Sequence, residues 1–449
     1  TGRGMLLAVL TGLAATAYLL HLALPVSWTN GERLGLLVAH REKVGRLLQA
    51  KRRRWTAEEF RAETAAGAQL TVLEGAVLDL SAFPSHPGGD FLDRFVGRDC
   101  TPWVLITHSK SPLALQKMRA LTVGALAAGE ERALLHAREA EYLDLHEAQR
   151  EAGAFAAAHR WLVHDAAEVA LLLLAGLWLW FDWEARGLGL LVATLGGCRQ
   201  GIFYHDVGHQ SVFTRAATAR RFNMWTSLFV WGFDFHAPCA IHAVHHAFVN
   251  VVGLDTALEM GPVVVHPAQA ASHLGLLQNV LFYGLLVWLV FPYYALSGVV
   301  ASVRAGEHGT AAVKVARLVA MAVCWRLSLP LMLAAILGFV YFAVVGSMNH
   351  FHKPIAEEAS AFGPGAYPAF VELQTATVQN TTTTPFRDWA LGHFTLHAEH
   401  HLFPHMPRRR YNTLAPTVQA FLKRWNLDYS VCSQASAIKS FNVKLQNPF

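Results

Sequence analysis

Charge is scarce in this chain, and cysteine is scarcer. Of 449 residues only 15% are Asp, Glu, Lys or Arg, against 53% hydrophobic, and mean hydropathy is positive at +0.29. That balance points to a membrane protein. The five cysteines, Cys100, Cys198, Cys239, Cys324 and Cys432, are scattered, with no Cys-x-x-Cys pair. Their scatter excludes a disulfide framework and a cysteine-based zinc site, so any metal site has to be built from histidine. No Gly-x-Ser-x-Gly, no P-loop and no Gly-x-Gly-x-x-Gly occurs. Nothing in the chain therefore binds nicotinamide or flavin by itself. The net charge of +5 is modest, and basic residues cluster locally at Lys51-Arg52-Arg53-Arg54, Arg220-Arg221 and Arg408-Arg409-Arg410. Beside apolar spans such runs mark the cytosolic side of a membrane, and no nucleic-acid partner is expected.

Long apolar runs are what the chain has instead. Four of spanning length cover 162–181, 187–204, 274–300 and 327–348, and a fifth covers 5–28. The run 315–325 is too short to span and carries Arg317, so it reads as an interfacial or broken lead-in helix. The expected class is mostly α: a polytopic membrane protein whose four spans form two hairpins, joined to a small α+β unit. Out and back twice, the hairpins would set the basic runs on the cytosolic face. The 5–28 run fits an extra span, a signal-anchor or part of a bipartite targeting sequence. An endoplasmic reticulum membrane is the expected location, a plastid membrane the second.

Residues 55–127 differ in character. They are polar and mixed, with strand-like runs Leu70-Thr71-Val72-Leu73 and Ala76-Val77-Leu78-Asp79-Leu80. Then come His86-Pro87-Gly88-Gly89, Gly97-Arg98-Asp99-Cys100-Thr101 and a lone His108. Pro87 and the paired glycines force a tight turn that fixes the angle of the His86 ring. A haem iron held by two axial imidazoles needs histidines from opposite walls of a pocket, and His86 and His108 are the natural pair. With Leu78–Phe83 leading into His-Pro-Gly-Gly-Asp and then Gly-Arg-Asp-Cys-Thr, the segment resembles cytochrome b5. The resemblance implies a haem b domain passing single electrons, with His86 and His108 as axial ligands. The run Pro102–Ile106 replaces a more polar stretch of that family.

Eight further histidines fall into three clusters: His205-Asp-Val-Gly-His209, His242-Ala-Val-His245-His246 and His397-Ala-Glu-His400-His401. Spacings of three and four put the rings on one helix face. Zinc takes four ligands, so eight converging imidazoles exceed one zinc site and suit a pair of iron ions with open positions for oxygen. Ionisable groups beside membrane spans are costly and usually functional. Neutral imidazole is the form that binds metal, so activity is expected to fall as pH drops toward about 6.

The order of spans and boxes, with Met348-Asn349-His350, Asp388-Trp-Ala-Leu-Gly-His393, Leu402-Phe-Pro after the third box and Arg410-Tyr411, resembles membrane fatty-acyl desaturases. The fused cytochrome b5 unit narrows the resemblance to the front-end desaturases. It implies a di-iron shell completed by one more histidine near the end of the fourth span: His350, with His393 as the alternative. Asp206 and Glu399 lie inside boxes and read as partners that orient imidazoles; Asn349 could add an oxygen. His236, His352 and His405 are near the boxes by sequence only. The third box departs from the family form, carrying His397 where Gln is usual, as other desaturase branches and related hydroxylases do.

The reaction implied is O2-dependent removal of two hydrogens from a fatty-acyl chain, with O2 reduced to water. Acid–base or nucleophilic groups cannot break such unpolarised C–H bonds. Two non-haem irons would supply the oxidant, and the haem unit the electrons, recharged by an NADH-dependent cytochrome b5 reductase. The substrate is a membrane lipid or acyl-CoA entering between spans; the aromatic runs 222–235 and 291–294 are candidate walls. A sphingolipid long-chain-base desaturase and a b5-fused fatty-acid hydroxylase are the rival enzymes, and a non-catalytic haem electron donor or lipid-binding membrane protein is the rival of another class. The expected partition is 1–54 hydrophobic segment and basic linker, 55–127 haem unit, 128–158 linker, 159–430 desaturase unit and 431–449 tail.

Overall fold

The computed structural model describes residues 53–83, 91–109, 111–156, 159–213, 236–258, 277–288, 306–357 and 369–447, with residues 43, 86, 218–219, 222, 296, 298–300 and 302–304 between them. The 5–28 run, Arg220-Arg221 and nearly all of both aromatic runs lie outside the described residues.

The N-terminal unit is a four-stranded sheet with helices against it. Its elements are β1 (Arg54–Trp55), α1 (Ala57–Ala65), β2 (Leu70–Leu73), β3 (Ala76–Asp79), α2 (Thr101–His108), α3 (Pro112–Ala120) and β4 (Thr122–Leu126). The strands lie in the order β1-β4-β3-β2. β2 and β3 pair antiparallel, Leu70 against Asp79 and Leu73 against Ala76. Their two-residue connection, Glu74-Gly75, has positive φ at both positions, 52° and 76°, the twist that suits a tight hairpin. Thr56 and Glu59 cap α1 reciprocally. Asp99 accepts the Thr101 backbone N–H at 2.8 Å and so opens α2. Trp55, Phe60, Leu70, Val72, Val77 and Leu126 fill the space between sheet and helix.

The segment 128–158 is no free tether. Its helix α4 (Ala137–Glu151) is polar in composition, yet Glu139, Tyr142 and His146 are buried. Tyr142 donates through its hydroxyl to Leu402 O at 2.6 Å, and Phe370 N donates to Glu139 at 2.7 Å. His146 stacks on Phe403, centroids 5.6 Å apart and planes 8° from parallel. This helix is a strut wedged between the N-terminal unit and the third histidine box.

Helices dominate the rest. α5 (His159–Phe181) and α6 (Arg186–Gly208) form an antiparallel hairpin, followed by α7 (His236–Ala247), β5 (Val251–Val252), α8 (Leu277–Trp288) and α9 (His308–Val323). α10 (Trp325–Ser347) packs across α6, and the backbones touch: a Cβ at Gly338 would sit 2.8 Å from the carbonyl carbon of Gly197. Such close crossings are how helices pack in lipid, where apolar side chains gain nothing from mere association. The chain continues through β6 (Ala356–Glu357), α11 (Phe370–Thr377), β7 (Asn380–Thr381), α12 (Pro385–Ala390), α13 (His397–Leu402), α14 (Tyr411–Arg424), β8 (Val431–Cys432) and α15 (Gln434–Gln446).

Among the described residues two helices, Arg160–Phe181 and Leu329–Ser347, are long and apolar enough to cross a membrane, not the four expected. The 187–204 run lies within the 23-residue α6 but carries Arg199 and Gln200, both buried. Arg199 donates to Glu168 on α5 at 2.9 Å and to Trp389 O at 2.6 Å. Enclosed by α5 and α10, α6 has polar groups that answer to protein, which is why its hydropathy falls short. Of the 274–300 run the 12 residues of α8 are described as one continuous helix, and residues 296 and 298–300 beyond it are helical too. The 315–325 run belongs to α9, which breaks from α10 at Cys324. Leu171, Leu188, Leu191 and Leu337 leave an apolar surface on the outer faces.

Candidate metal centre

Three helix ends and one turn converge. His205 sits in the last turn of α6 with His209 at its C-terminal cap, and the second box occupies the last turns of α7. The third box is almost the whole of α13, only six residues long and buried throughout. His350 lies in the turn just past α10. The ring nitrogens of His205, His209, His242, His246 and His400 all lie within 4.8 Å of one another, as do those of His245, His350 and His401. His397 joins the second group, its Nε2 2.6 Å from His350 Nε2.

Within the groups, Nε2 atoms face Nε2 atoms. His205 and His242 are 2.8 Å apart, His209 and His205 3.1 Å, His246 and His242 3.2 Å, His401 and His350 3.1 Å, and His245 and His350 3.3 Å. A ring nitrogen binds an ion at about 2.1 Å, and two such bonds at right angles place the nitrogens about 3 Å apart. Most of the observed separations are close to that value, so the rings could hold metal. Burial keeps the rings neutral: His242, His246, His350, His400 and His401 are held well below the usual histidine range, and His397 falls to about 3. Neutral imidazole is the metal-binding form.

The opposite ring edges are anchored. His245 Nδ1 meets both oxygens of Asp255, at 3.0 and 2.9 Å, and Asp255 also accepts the backbone N–H groups of Asn250 and Ala257. His401 Nδ1 meets Gln374 Oε1 at 2.9 Å, while Gln374 Nε2 donates to His246 O at 2.8 Å. His400 Nδ1 lies 3.2 Å from the Tyr411 hydroxyl, and His350 Nδ1 3.2 Å from Thr377 O. Sequence reasoning missed these four partners. Asp255 closes the stretch after the second box and Tyr411 follows the third, but Gln374 and Thr377 belong to no motif.

Other expected residues fall elsewhere. Glu399 accepts from Asn380 Nδ2 at 2.9 Å and from Tyr429 at 2.7 Å, and so fastens α13 to its neighbours instead of orienting a ring. Asp206 pairs with Arg408, its oxygen 4.0 Å from His205 Nδ1. His393 belongs to neither group; with φ +63° it lines a separate cavity of about 340 Å³ with Arg199, Asp388 and Arg409. His352 bonds Gln379 at 2.9 Å, and His405 bonds His209 O at 2.6 Å. Asn349 donates to Val345 O and Phe394 O, leaving its buried Oδ1 without a donor. The His236 side chain lies outside the described residues.

In the N-terminal unit His86 and His108 face each other, ring centroids 5.9 Å apart and planes at 63°. Nitrogens about 2.0–2.1 Å from an ion on either side put two ring centroids about 6 Å apart, so the pair could hold an ion between them. Burial lowers both rings, His108 to about 4.

A helical scaffold that gathers nine imidazoles at helix ends, beside helices long and apolar enough to cross a membrane, is compatible with a metal centre in a membrane oxidoreductase. Residues 181–432 match the family model described as fatty acid desaturase, and the chain belongs to that family. It is an oxidoreductase acting on fatty acyl chains. Human "Fatty acid desaturase 3" is 25% identical over 83% of this chain and 88% of its own length. "Acyl-lipid (8-3)-desaturase" of Thraustochytrium sp is 25% identical over 86% and 94%. "Delta(5) fatty acid desaturase fat-4" of Caenorhabditis elegans is 26% identical over 51% and 56%. No solved structure matches the chain.

Proposed function

We propose that the chain is an O2-dependent front-end lipid desaturase with a histidine-held di-iron centre and a fused haem b unit as its electron donor. The observation that carries the reading is the division of the nine rings into two adjoining groups whose Nε2 atoms face inward. His205, His209, His242, His246 and His400 would hold one ion, and His245, His350, His397 and His401 the other. Bound there, iron supplies the oxygen chemistry needed to cleave unactivated C–H bonds. The protein's part is to hold the rings neutral, fix their angles through Asp255, Gln374, Tyr411 and Thr377, and keep water away by burial. His86 and His108 would hold the haem, supported by their facing rings and by alignments that extend well beyond 181–432. An NADH-dependent cytochrome b5 reductase would recharge it. The membrane is the endoplasmic reticulum by preference, with boxes and haem unit cytosolic.

The test is expression in yeast fed single candidate fatty acids, with lipid profiling by mass spectrometry beside a His246→Ala variant. A new double bond that the variant loses is the expected result and gives the position directly. A hydroxylated product would overturn desaturation in favour of the hydroxylase. Iron analysis of the purified protein is expected to find haem iron plus two more; haem iron alone would reduce the chain to an electron donor.

A further inference from the structure

His108 sits on an element that touches one short stretch of the desaturase unit, the two residues directly after the second box, and the turn that follows His86 in sequence touches the same stretch. His108 ends α2, and in the first turn of that helix the buried Trp103 donates through its indole N–H to Ala247 O at 3.1 Å. His86 precedes the turn Phe91–Phe95, from which Phe91 stacks on Phe248 with centroids 5.1 Å apart and planes 22° from parallel. Phe95 bridges the two contacts, 5.4 Å from Trp103 and 6.4 Å from Phe248. Ala247 and Phe248 follow His245 and His246, and those two rings fall in different metal-binding groups. Trp103, Phe95 and Phe248 are all buried, so no solvent layer separates the units at this point.

We infer that Trp103, with Phe91 and Phe95, forms the docking contact through which electrons enter the histidine centre, and that they arrive at the second box. The inference rests on the haem and di-iron reading above. Each passage oxidises one ferrous haem and reduces one ferric ion of the centre; no bond or proton is exchanged at the contact. Two passages serve one double bond, each preceded by recharging from an external one-electron donor. Trp103 is a positioning residue: its N–H fixes α2, and with it His108, against the backbone that carries His245 and His246.

The test uses the full-length protein, purified with haem and non-haem iron, oxidised and free of oxygen. A flash-photoreduced flavin injects less than one electron per haem, and reoxidation of the haem is followed by its visible absorbance. Trp103→Leu is expected to slow that reoxidation by about tenfold or more, since displacement of about 1 Å can cost far more than its energy implies. Haem content, iron content and haem spectrum are expected to stay as in the parent. Reoxidation within twofold of the parent rate, with both groups loaded, overturns the inference. Should Trp103→Leu lose haem, Trp103→Phe decides: it keeps a six-membered aromatic ring in the core and removes the five-membered ring with its N–H, and an unchanged rate there overturns the positioning role. Absence of any haem band from the unaltered protein would sink the haem reading itself, a different failure from an unchanged rate.

Discussion

At the scale of single residues, the centre depends on groups that never face a metal. Asp255 is buried and accepts from His245 Nδ1 and two backbone N–H groups. Asp255→Ala frees the imidazole to rotate and strands those donors, so iron affinity is expected to fall about 10- to 100-fold. Iron per protein after dialysis against graded chelator measures this, and full retention would show that α7 alone sets the ring. The boxes themselves were legible in the sequence, because spacings of three and four are local and a helix turns them into one face. Asp255 was not, since nothing about an aspartate ten residues downstream says that the chain doubles back at Asn250. The choice between His350 and His393 was likewise open: both precede or follow a box region, and only the placement of α10 brings His350 inside while leaving His393 beside a separate cavity.

At the scale of elements, sequence reading faltered where burial and composition part company. α6 looks too polar for a lipid-facing helix because its Arg199 is answered by Glu168 from α5. α4 looks like a charged linker because Tyr142, Glu139 and His146 are buried beneath an outer face rich in Arg and Glu. The two strands of the β2–β3 pair, by contrast, were readable from their local apolar composition. The α6–α10 crossing offers a clean test. A Cβ at Gly338 would lie 2.8 Å from Gly197 C and 2.9 Å from Cys198 N, backbone atoms that cannot swing aside. Gly338→Ala is therefore expected to destabilise by about 1–3 kcal/mol, the usual cost of overpacking. Gly284 on α8 has nothing within 4 Å of such a Cβ, and Gly284→Ala should be neutral or raise stability by up to about 1 kcal/mol. Thermal melting of both variants in detergent separates them; equal shifts would mean that the crossing is loose.

At the scale of the whole molecule, the two units share one core. Leu73, Leu78, Phe95 and Trp103 from the N-terminal unit pack in the same buried cluster as Phe248, Phe370, Phe403 and Tyr411 from the helical unit, with Tyr142 of α4 between them. A unit on a free tether would only be concentrated near its neighbour; a unit sharing the core is held in one orientation. Cooperative melting is the thermodynamic signature of that difference, because units sharing a core cannot lose it separately. The full-length protein is thus expected to give a single calorimetric transition. Phe91→Asp sets a carboxylate against the face of Phe248, where an unpaired charge is expensive to bury, so the contact should open while each unit keeps its remaining core. Its calorimetric trace is expected to split in two, the lower transition belonging to residues 53–126, whose own core of Trp55, Phe60, Val72 and Val77 is the smaller. A single unsplit transition in Phe91→Asp would place the cohesion in α4 and Tyr142 instead. Two transitions already in the parent would mean that the shared cluster does not bind the units together.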